Sequence, residues 1–358
     1  MVDVVLIPGD GVGPELIHAT KQCIDATGVA IRWIEKEAGA KTIETEQALL
    51  PLHVLEAIQD TGRALKGPII TPIASGFRSV NVQLRQSLDL YACVRPCKSM
   101  QGIASPLHKH IDVVIIRENT EDLYAGIEFE SGKHETKQLI EYLNTHSAKK
   151  VATDAGVSIK TATEAATRRI CSFAVEYARA HARKKITIVT KSNIMKYTDG
   201  LFFRVAHEEL TQHSDIQCRH MLIDALCMNL VQAPENFDIL LLPNLYGDIV
   251  SDLCAGLIGG LGVAPGSNIG EKAVIYEATH GAAPEFAGMN ALNPTALIQC
   301  GIMLLRDINE KTAANALERA LFTVLEKGDA RTVDILPPSE KHRAVSTSVF
   351  AQEVIQNL

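Results

Sequence analysis

Two aspartates four residues apart, Asp248 and Asp252, stand in the string Pro243-Asn-Leu-Tyr-Gly-Asp-Ile-Val-Ser-Asp-Leu-Cys, just after the apolar run Ile239 to Leu242. At helical spacing their carboxylates share one face, where like charges repel by roughly 0.2–0.5 kcal/mol if exposed. A divalent cation held between them reverses that sign. Ligands made only of oxygen suit Mg2+ or Mn2+ better than zinc. Three arginines, Arg85, Arg95 and Arg117, suit a small polycarboxylate, because each guanidinium can grip a carboxylate through two parallel hydrogen bonds. Tyr124 lies shortly after Arg117. Positive charge near it would lower its pKa and help it to pass a proton. Lys191 closes the run Ile186 to Val189, and a lysine at a strand end is a candidate proton carrier.

These groups have to be carried to one place by an α/β chain. Val2 to Ile7, Ala30 to Glu35, Ala64 to Thr71, Ile111 to Ile116, Ile186 to Val189, Gln217 to Ile223, Ile239 to Leu242 and Ala273 to Glu277 read as strands. Leu16 to Ala26, Leu52 to Gln59, Glu164 to His181, Thr295 to Leu305, Thr312 to Leu325 and Val349 to Ile355 read as helices. The alternation argues a largely parallel sheet, with the active groups at the C-terminal ends of its strands. Helical spacing after Gly247 puts Ile249, Leu253 and Leu257 on an apolar stripe opposite the aspartates. Asp224 falls at a helix start, where the macrodipole favours an acid. Phe129 to Thr163 is polar and punctuated by glycine, too poor in apolar residues for a core segment.

Two stretches invite a nucleotide reading. Pro8-Gly9-Asp10-Gly11-Val12-Gly13 follows the first strand, but its G-x-G-x-G spacing is not a dinucleotide fingerprint, and the pyrophosphate is not assigned to it. The run Ala278-Thr-His280-Gly281-Ala282-Ala283-Pro284-Glu285-Phe286-Ala-Gly288 is rich in small residues that let a ligand approach the backbone closely. Glu285 there can bond ribose hydroxyls and repel a 2′-phosphate. Lys341-His342-Arg343, inside the stretch Arg331 to Ser348, is an opposing source of positive charge.

Composition narrows the classes. The 358 residues are 46% hydrophobic and 22% charged, and the net charge of −7 argues against sequence-independent nucleic-acid binding. No apolar run reaches the ~18 residues that span a bilayer. Eight cysteines at irregular spacing read as reduced core thiols. With a first strand already forming over residues 1–7, they lead to the expectation of a cytoplasmic protein.

Taken together, the strings Asn-Leu-Tyr-Gly-Asp-Ile-x-Ser-Asp-Leu, Ser75-Gly-Phe-Arg-Ser79-Val-Asn81-Val-Gln-Leu-Arg85, Arg117-Glu-Asn-Thr-Glu-Asp-Leu-Tyr124 and Lys191-Ser-Asn193-Ile-Met-Lys196 resemble the β-decarboxylating dehydrogenases. The likeness covers nearly the whole chain and is nearest to NAD-dependent isocitrate dehydrogenases. It implies a two-domain α/β fold. Residues 1–90 and 259–358 would form a large, mainly cofactor-binding domain. Residues 91–258 would form a smaller domain with the substrate and metal groups and, over about 125–163, an arm that clasps a second subunit. It implies Ser79 and Asn81 on the γ-carboxylate of isocitrate, with Arg85, Arg95, Arg117 and Asn193 completing the substrate site. Tyr124 would be the acid and Lys191 the catalytic lysine. Asp224, Asp248 and Asp252 would hold Mg2+ or Mn2+. His280, Gly281, Ala282, Ala283, Pro284, Glu285 and Asn293 would hold NAD. Lys191 and Asp224 would cross into the neighbouring site of a homodimer, or of a higher oligomer built from it. The alternatives are isopropylmalate or homoisocitrate dehydrogenase, which would want other groups at Ser79 and Asn81, and a regulatory subunit of a hetero-oligomeric enzyme, which would tolerate loss of catalytic residues.

Overall fold

The computed structural model describes residues 1–70, 79–105 and 110–358. The chain opens with β1 (Val2–Ile7), α1 (Gly13–Asp25), β2 (Ile31–Glu35), α2 (Ala40–Glu46), α3 (Leu52–Thr61) and β3 (Arg63–Lys66). The third strand was expected to run to Thr71. It stops at Lys66 because Gly67-Pro68 withdraws a ladder donor, and Thr71 lies outside the described residues. After α4 (Val80–Ser87) come β4 (Ala92–Lys98), β5 (Asp112–Glu118), β6 (Glu128–Phe129), α5 (His134–His146), β7 (Val157–Ser158), α6 (Glu164–Ala180), β8 (Lys185–Thr190), α7 (Asp199–Leu210) and β9 (Gln217–Leu222). The chain continues as α8 (Ile223–Gln232), β10 (Ile239–Leu242), α9 (Asn244–Ile258), β11 (Pro265–Ile269), β12 (Val274–Ala278), α10 (Thr295–Asp307), α11 (Lys311–Lys327) and α12 (Thr347–Gln356).

Among the described residues, ten strands form one sheet in the order β2-β1-β3-β12-β11-β4-β5-β10-β8-β9. Its inner strands are apolar on both faces. Val113 to Ile116 and Ile239 to Leu242 are fully buried, the pattern of strands covered by helices on both sides. The sheet is mixed rather than largely parallel, since β4 and β11 run antiparallel to their neighbours. Neither strand was foreseen, because β4 interrupts its apolar pattern with Arg95-Pro96 and β11 contains Gly266 and Asn268. The strands from residues 1–70 and 265–278 occupy one half of the sheet and those from 92–242 the other, meeting at β11 and β4.

The polar stretch after Phe129 is more structured than its composition suggested. β6 and β7 pair antiparallel, and between them α5 buries Thr136 and Ile140. Helix α9 starts at Asn244, before Gly247, and its buried side is Tyr246, Val250, Cys254, Leu257 and Ile258. Ile249, expected on the apolar stripe, is 55% exposed. Three buried clusters hold the layers together. The largest spans both halves of the sheet from Val4 and Leu6 to Val113 and Leu240. Among the described residues, no helix is long and apolar enough to cross a membrane.

Candidate active site

The parallel strands β5, β10, β8 and β9 end along one edge of the sheet, whereas β1, β3 and β12, reversed relative to them by the three antiparallel pairings through β11 and β4, end at the other. The loops and helix starts that follow them carry the groups singled out above. α9 follows β10, Lys191 follows β8, Asp224 follows β9, and the small-residue loop follows β12. Arg117 stands at the end of β5, and Arg95 on antiparallel β4 lies across from Ile115.

Arg117 is the centre of this edge. Its side chain is 0% exposed. Nε and Nη2 donate to Asn244 Oδ1 at 2.9 and 2.7 Å, and Nη1 donates to Asp248. The guanidinium lies 4.8 Å from the centre of the Tyr124 ring, and the Tyr124 hydroxyl donates to Asp248 Oδ2 at 2.6 Å. Gly247 makes the approach possible, because a Cβ there would sit 2.5 Å from Arg117 Cγ. Asn244, which the sequence reading did not single out, also donates to the Glu121 carbonyl at 3.1 Å and so ties α9 to the turn that carries Tyr124.

The electrostatics follow from this packing. Burial lowers the Arg117 pKa and the neighbouring charge of Arg85 lowers it further. Although burial opposes it, Arg117 holds the Asp248 carboxyl below its usual range, with help from the Tyr124 hydroxyl and Arg95. Burial raises Asp252; Arg95 opposes that shift and Asp248 adds to it. Arg95 donates to Ser251 Oγ at 2.5 Å and lies 3.8 Å from Asp252. The expectation for Tyr124 is corrected in sign. Burial and then the Asp248 carboxylate push its pKa up, and Arg117 only partly offsets them.

A second buried group lies toward the other half of the sheet and was not foreseen. Lys66 Nζ is 2.8 Å from Glu277 Oε2, with side-chain exposures of 2% and 10%. Asn268 donates to Glu277 Oε1 at 2.6 Å and accepts from Arg85 Nε and Asn119 Nδ2, both at 3.1 Å. Burial works against Glu277, but Lys66 and Arg85 bring its pKa down to about 2. Much of Arg85 is therefore engaged by the protein itself. Ser79 immediately precedes α4 and Asn81 lies in its first turn; residues 75–78 of that string lie outside the described residues.

Lys191 and Asp224 stand together. Lys191 Nζ is 2.7 Å from Asp224 Oδ1, and Asn193 is exposed in the turn after β8. Among the described residues of one chain, no three His, Cys, Asp or Glu side chains gather as metal ligands. Asp248 and Asp252 share one face of α9, while Asp224 stands in the first turn of α8, after β9 and on the far side of β8. Their oxygen-only chemistry fits Mg2+ or Mn2+.

The small-residue loop is fastened to the N-terminal loop, where Val12 N–H donates to the Ala282 carbonyl at 2.9 Å. Gly11, at φ +59°, allows the approach. His280 Nδ1 is 2.9 Å from the Gly281 carbonyl; a carbonyl only accepts, so Nδ1 carries the hydrogen and Nε2 is left as an acceptor. That Nε2 and Thr279 Oγ1 are buried without a protein partner, and burial keeps the imidazole neutral. Two unmatched polar atoms in a loop of small residues fit a polar ligand such as a dinucleotide. Gly281, Pro284 and Glu285 are exposed, Ala282 is buried, and Ala283 adopts φ +38°. Asn293 is also bonded within the protein. Its side chain accepts from Thr295 N–H at 3.0 Å at the start of α10 and donates to the Gly262 carbonyl at 3.3 Å. The stretch 331–348 is docked beside it, through Asn293 N–H to Asp334 and Thr347 N–H to the Asn290 carbonyl. Lys341, His342 and Arg343 are exposed there.

Comparison with known proteins identifies the family of the chain. The family model for isocitrate/isopropylmalate dehydrogenase matches residues 3–354. The chain is 43% identical over 334 residues to the bovine (Bos taurus) mitochondrial isocitrate dehydrogenase [NAD] subunit alpha, covering 93% of this chain and 85% of that one. It is 41% identical over 332 residues to a probable mitochondrial isocitrate dehydrogenase [NAD] subunit alpha of Caenorhabditis elegans, covering 93% and 87%. The crystal structure of isocitrate dehydrogenase from Methylococcus capsulatus superposes with a TM-score of 0.90 at 41% identity, over 100% of this chain and 99% of that one. The mitochondrial names of these relatives overturn the cytoplasmic expectation. The cysteines are unpaired among the described residues, and reduced thiols do not distinguish one reducing compartment from another.

The buried Lys66–Glu277 pair sets a pH dependence. Glu277 falls from an ordinary 4.5 to about 2 in the fold, so its contribution is full above the unfolded value and is lost as pH drops toward 2. Glu277→Gln leaves Lys66 buried without its counter-charge, which costs about 3–5 kcal/mol. Urea denaturation should show that loss at pH 7 and a much smaller difference near pH 3.

Proposed function

The chain belongs to the isocitrate/isopropylmalate dehydrogenase family, and from that premise we propose that it oxidises and decarboxylates isocitrate to 2-oxoglutarate and CO2 with NAD, in active sites shared between two subunits. The observation that carries the substrate reading is the convergence of Arg85, Arg95 and Arg117, close enough that Arg85 and Arg95 both depress the Arg117 pKa. Like charges gathered at one edge are stabilised by a ligand with several negative charges. Ser79 and Asn81, at the start of the helix that carries Arg85, favour a carboxylate over the apolar group of isopropylmalate.

Asp248 and Asp252, with Asp224 of a second copy, would hold Mg2+ or Mn2+. Bound there, the cation would supply Lewis-acid charge to the substrate hydroxyl and its adjacent carboxylate. The arginines orient the substrate. Lys191 of the second copy removes the hydroxyl proton as hydride leaves for the nicotinamide. Tyr124, kept protonated by burial and Asp248, delivers its proton to the enol carbon after CO2 departs. The loop 278–288 receives NAD, with His280 Nε2 accepting from the ligand and Glu285 accepting from ribose hydroxyls. Residues 1–90 and 259–358 act as the cofactor domain and 91–258 as the substrate domain, a division supported by the two halves of the sheet.

Sharing between subunits is supported by an apolar surface around Lys191. Ile194, Tyr197, Met228, Val231 and Ile249 are exposed on the turn after β8 and on α8 and α9. Hydrophobic side chains so grouped fit burial against a second copy of the chain.

Three measurements test the reading. Tyr124→Phe removes one hydroxyl and should lower turnover of isocitrate by ~10²–10⁴-fold, with hydride transfer to NAD less affected than enol protonation. Normal overall turnover would remove Tyr124 from the mechanism. Asp252→Asn should keep the fold but lose most activity, and a full rate at limiting Mg2+ would reject the metal assignment. Native enzyme should prefer NAD over NADP by at least about tenfold, equivalent to ~1.4 kcal/mol, and Glu285→Lys should narrow that gap. A native preference for NADP would mean that Lys341, His342 and Arg343 outweigh Glu285.

A further inference from the structure

Lys160, just past β7, carries the arm back into the protein. Its side chain is 13% exposed, and Nζ lies 3.1 Å from Asp122 Oδ1 and 2.9 Å from Asp199 Oδ1. It also stands 4.7 Å from the centre of the Tyr246 ring. Asp122 and Asp199 are buried, and each has a second task. Asp122 Oδ2 accepts the Leu245 N–H at 2.9 Å and Oδ1 accepts the Leu123 N–H at 2.9 Å. Those bonds clamp the turn bearing Tyr124 onto the first turn of α9 and hold Asp122 at φ +70°. Asp199 Oδ2 accepts the Lys191 N–H at 2.6 Å, which fixes the turn bearing Lys191.

Two buried carboxylates facing one cation stay in place only while that cation is present. Among the described residues, no other cation lies within ion-pairing distance of Asp122 or Asp199. Without Lys160 the two acids repel, and relief comes from movement of one turn or the other. Each turn carries a proton-transfer group, Tyr124 on one side and Lys191 on the other.

We propose that Lys160 is a positioning residue that couples Tyr124, which serves its own subunit's active site, to Lys191, which serves the neighbouring one. The inference rests on the shared-site reading given above. It makes the arm part of the catalytic apparatus, because the same strand that returns from α5 sets the two proton carriers. Local geometry of this kind has leverage, since a displacement of about 1 Å at a reacting group can cost ~10²-fold in rate.

The test uses mixed assemblies of Tyr124→Phe and Lys191→Met chains, in which one complete site survives. Lys160→Met is added either to the chain that supplies the surviving Tyr124 or to the chain that supplies the surviving Lys191. Either placement should lower kcat of that site by about 10²-fold, with KM for isocitrate changed by less than about twofold. Lys160→Arg, which keeps the charge and can fork between two carboxylates, should recover much of the loss. A loss from one placement only, no loss from either, or a loss that follows a raised KM and a lowered melting temperature would overturn the coupling role. If the parent mixture is silent although mixed assemblies form, the shared-site reading fails. Lys160→Met in the otherwise native chain then decides, an unchanged kcat overturning the positioning role and a fall at constant KM sustaining it. Should Lys160→Met not fold, Asp199→Asn is read by the same two outcomes, since it keeps an acceptor for the Lys191 N–H but removes the charge Lys160 bridges.

Discussion

A guanidinium with no contact with water dictates the layout of this protein. Arg117 is fully buried, and leaving such a charge without its partner costs about 3–5 kcal/mol. Its needs explain neighbouring residues that look unrelated in sequence. Asn244 accepts twice from it, Asp248 neutralises it, and Tyr124 presents a ring face to it. Gly247 has no side chain because Arg117 occupies the space a Cβ would take. Helix α9 is thus pressed onto the end of β5, and the position of both its aspartates follows from that contact.

The same device recurs elsewhere in the sheet and around it. Lys66 with Glu277 joins β3 to β12, Arg117 with Asp248 joins β5 to α9, and Lys160 with Asp122 and Asp199 joins the arm to two turns. Buried pairs of this kind contribute little net stability compared with apolar packing. Their geometric demands, however, are strict, because each charge must keep its partners. Placed at strand ends, they hold charges and dipoles in place before substrate arrives, which is the arrangement that stabilises developing charge at small reorganisation cost. The apolar clusters on both sides of the sheet supply the stability that these pairs do not.

Much of this was legible in the sequence where the pattern is local. Continuous apolar runs marked β5 and β10, and periodic spacing marked α6, α10 and α11 close to their observed bounds. Tyr124, Asp248, Asp252, Lys191 and the loop 278–288 stood out because each lies in a compact string at a strand end. What escaped was long-range. Lys66 and Glu277 are far apart in the chain, as are Lys160 and Asp199, and nothing in the local residue pattern shows that two distant charges are buried together. β4 and β11 escaped because Arg95, Asn268 and Gly266 break the apolar pattern, and those polar residues are there to serve the site rather than the strand. Ile249 failed in the opposite direction, since an apolar residue on a helix was read as core although it faces outward.

The sign of the Tyr124 shift shows why proximity alone is a poor guide to acid–base chemistry. Arginine beside a tyrosine favours the phenolate, and on that basis a lowered pKa was expected. Burial acts first, however, and it penalises the charged form of the phenol. Asp248 then accepts the hydroxyl hydrogen at 2.6 Å, which favours keeping it. The outcome is a donor that stays loaded. Anything that draws the Asp248 charge away leaves Arg117 as the dominant neighbour and makes the proton easier to give. Arg117 thereby acts on both ends of one hydrogen bond: it holds the acceptor ionised, and it waits beside the donor to stabilise the phenolate left when the proton moves. The acidity of Tyr124 is therefore tuned by how its two neighbours share one buried charge, a property of the packing between β5 and α9 rather than of the tyrosine alone.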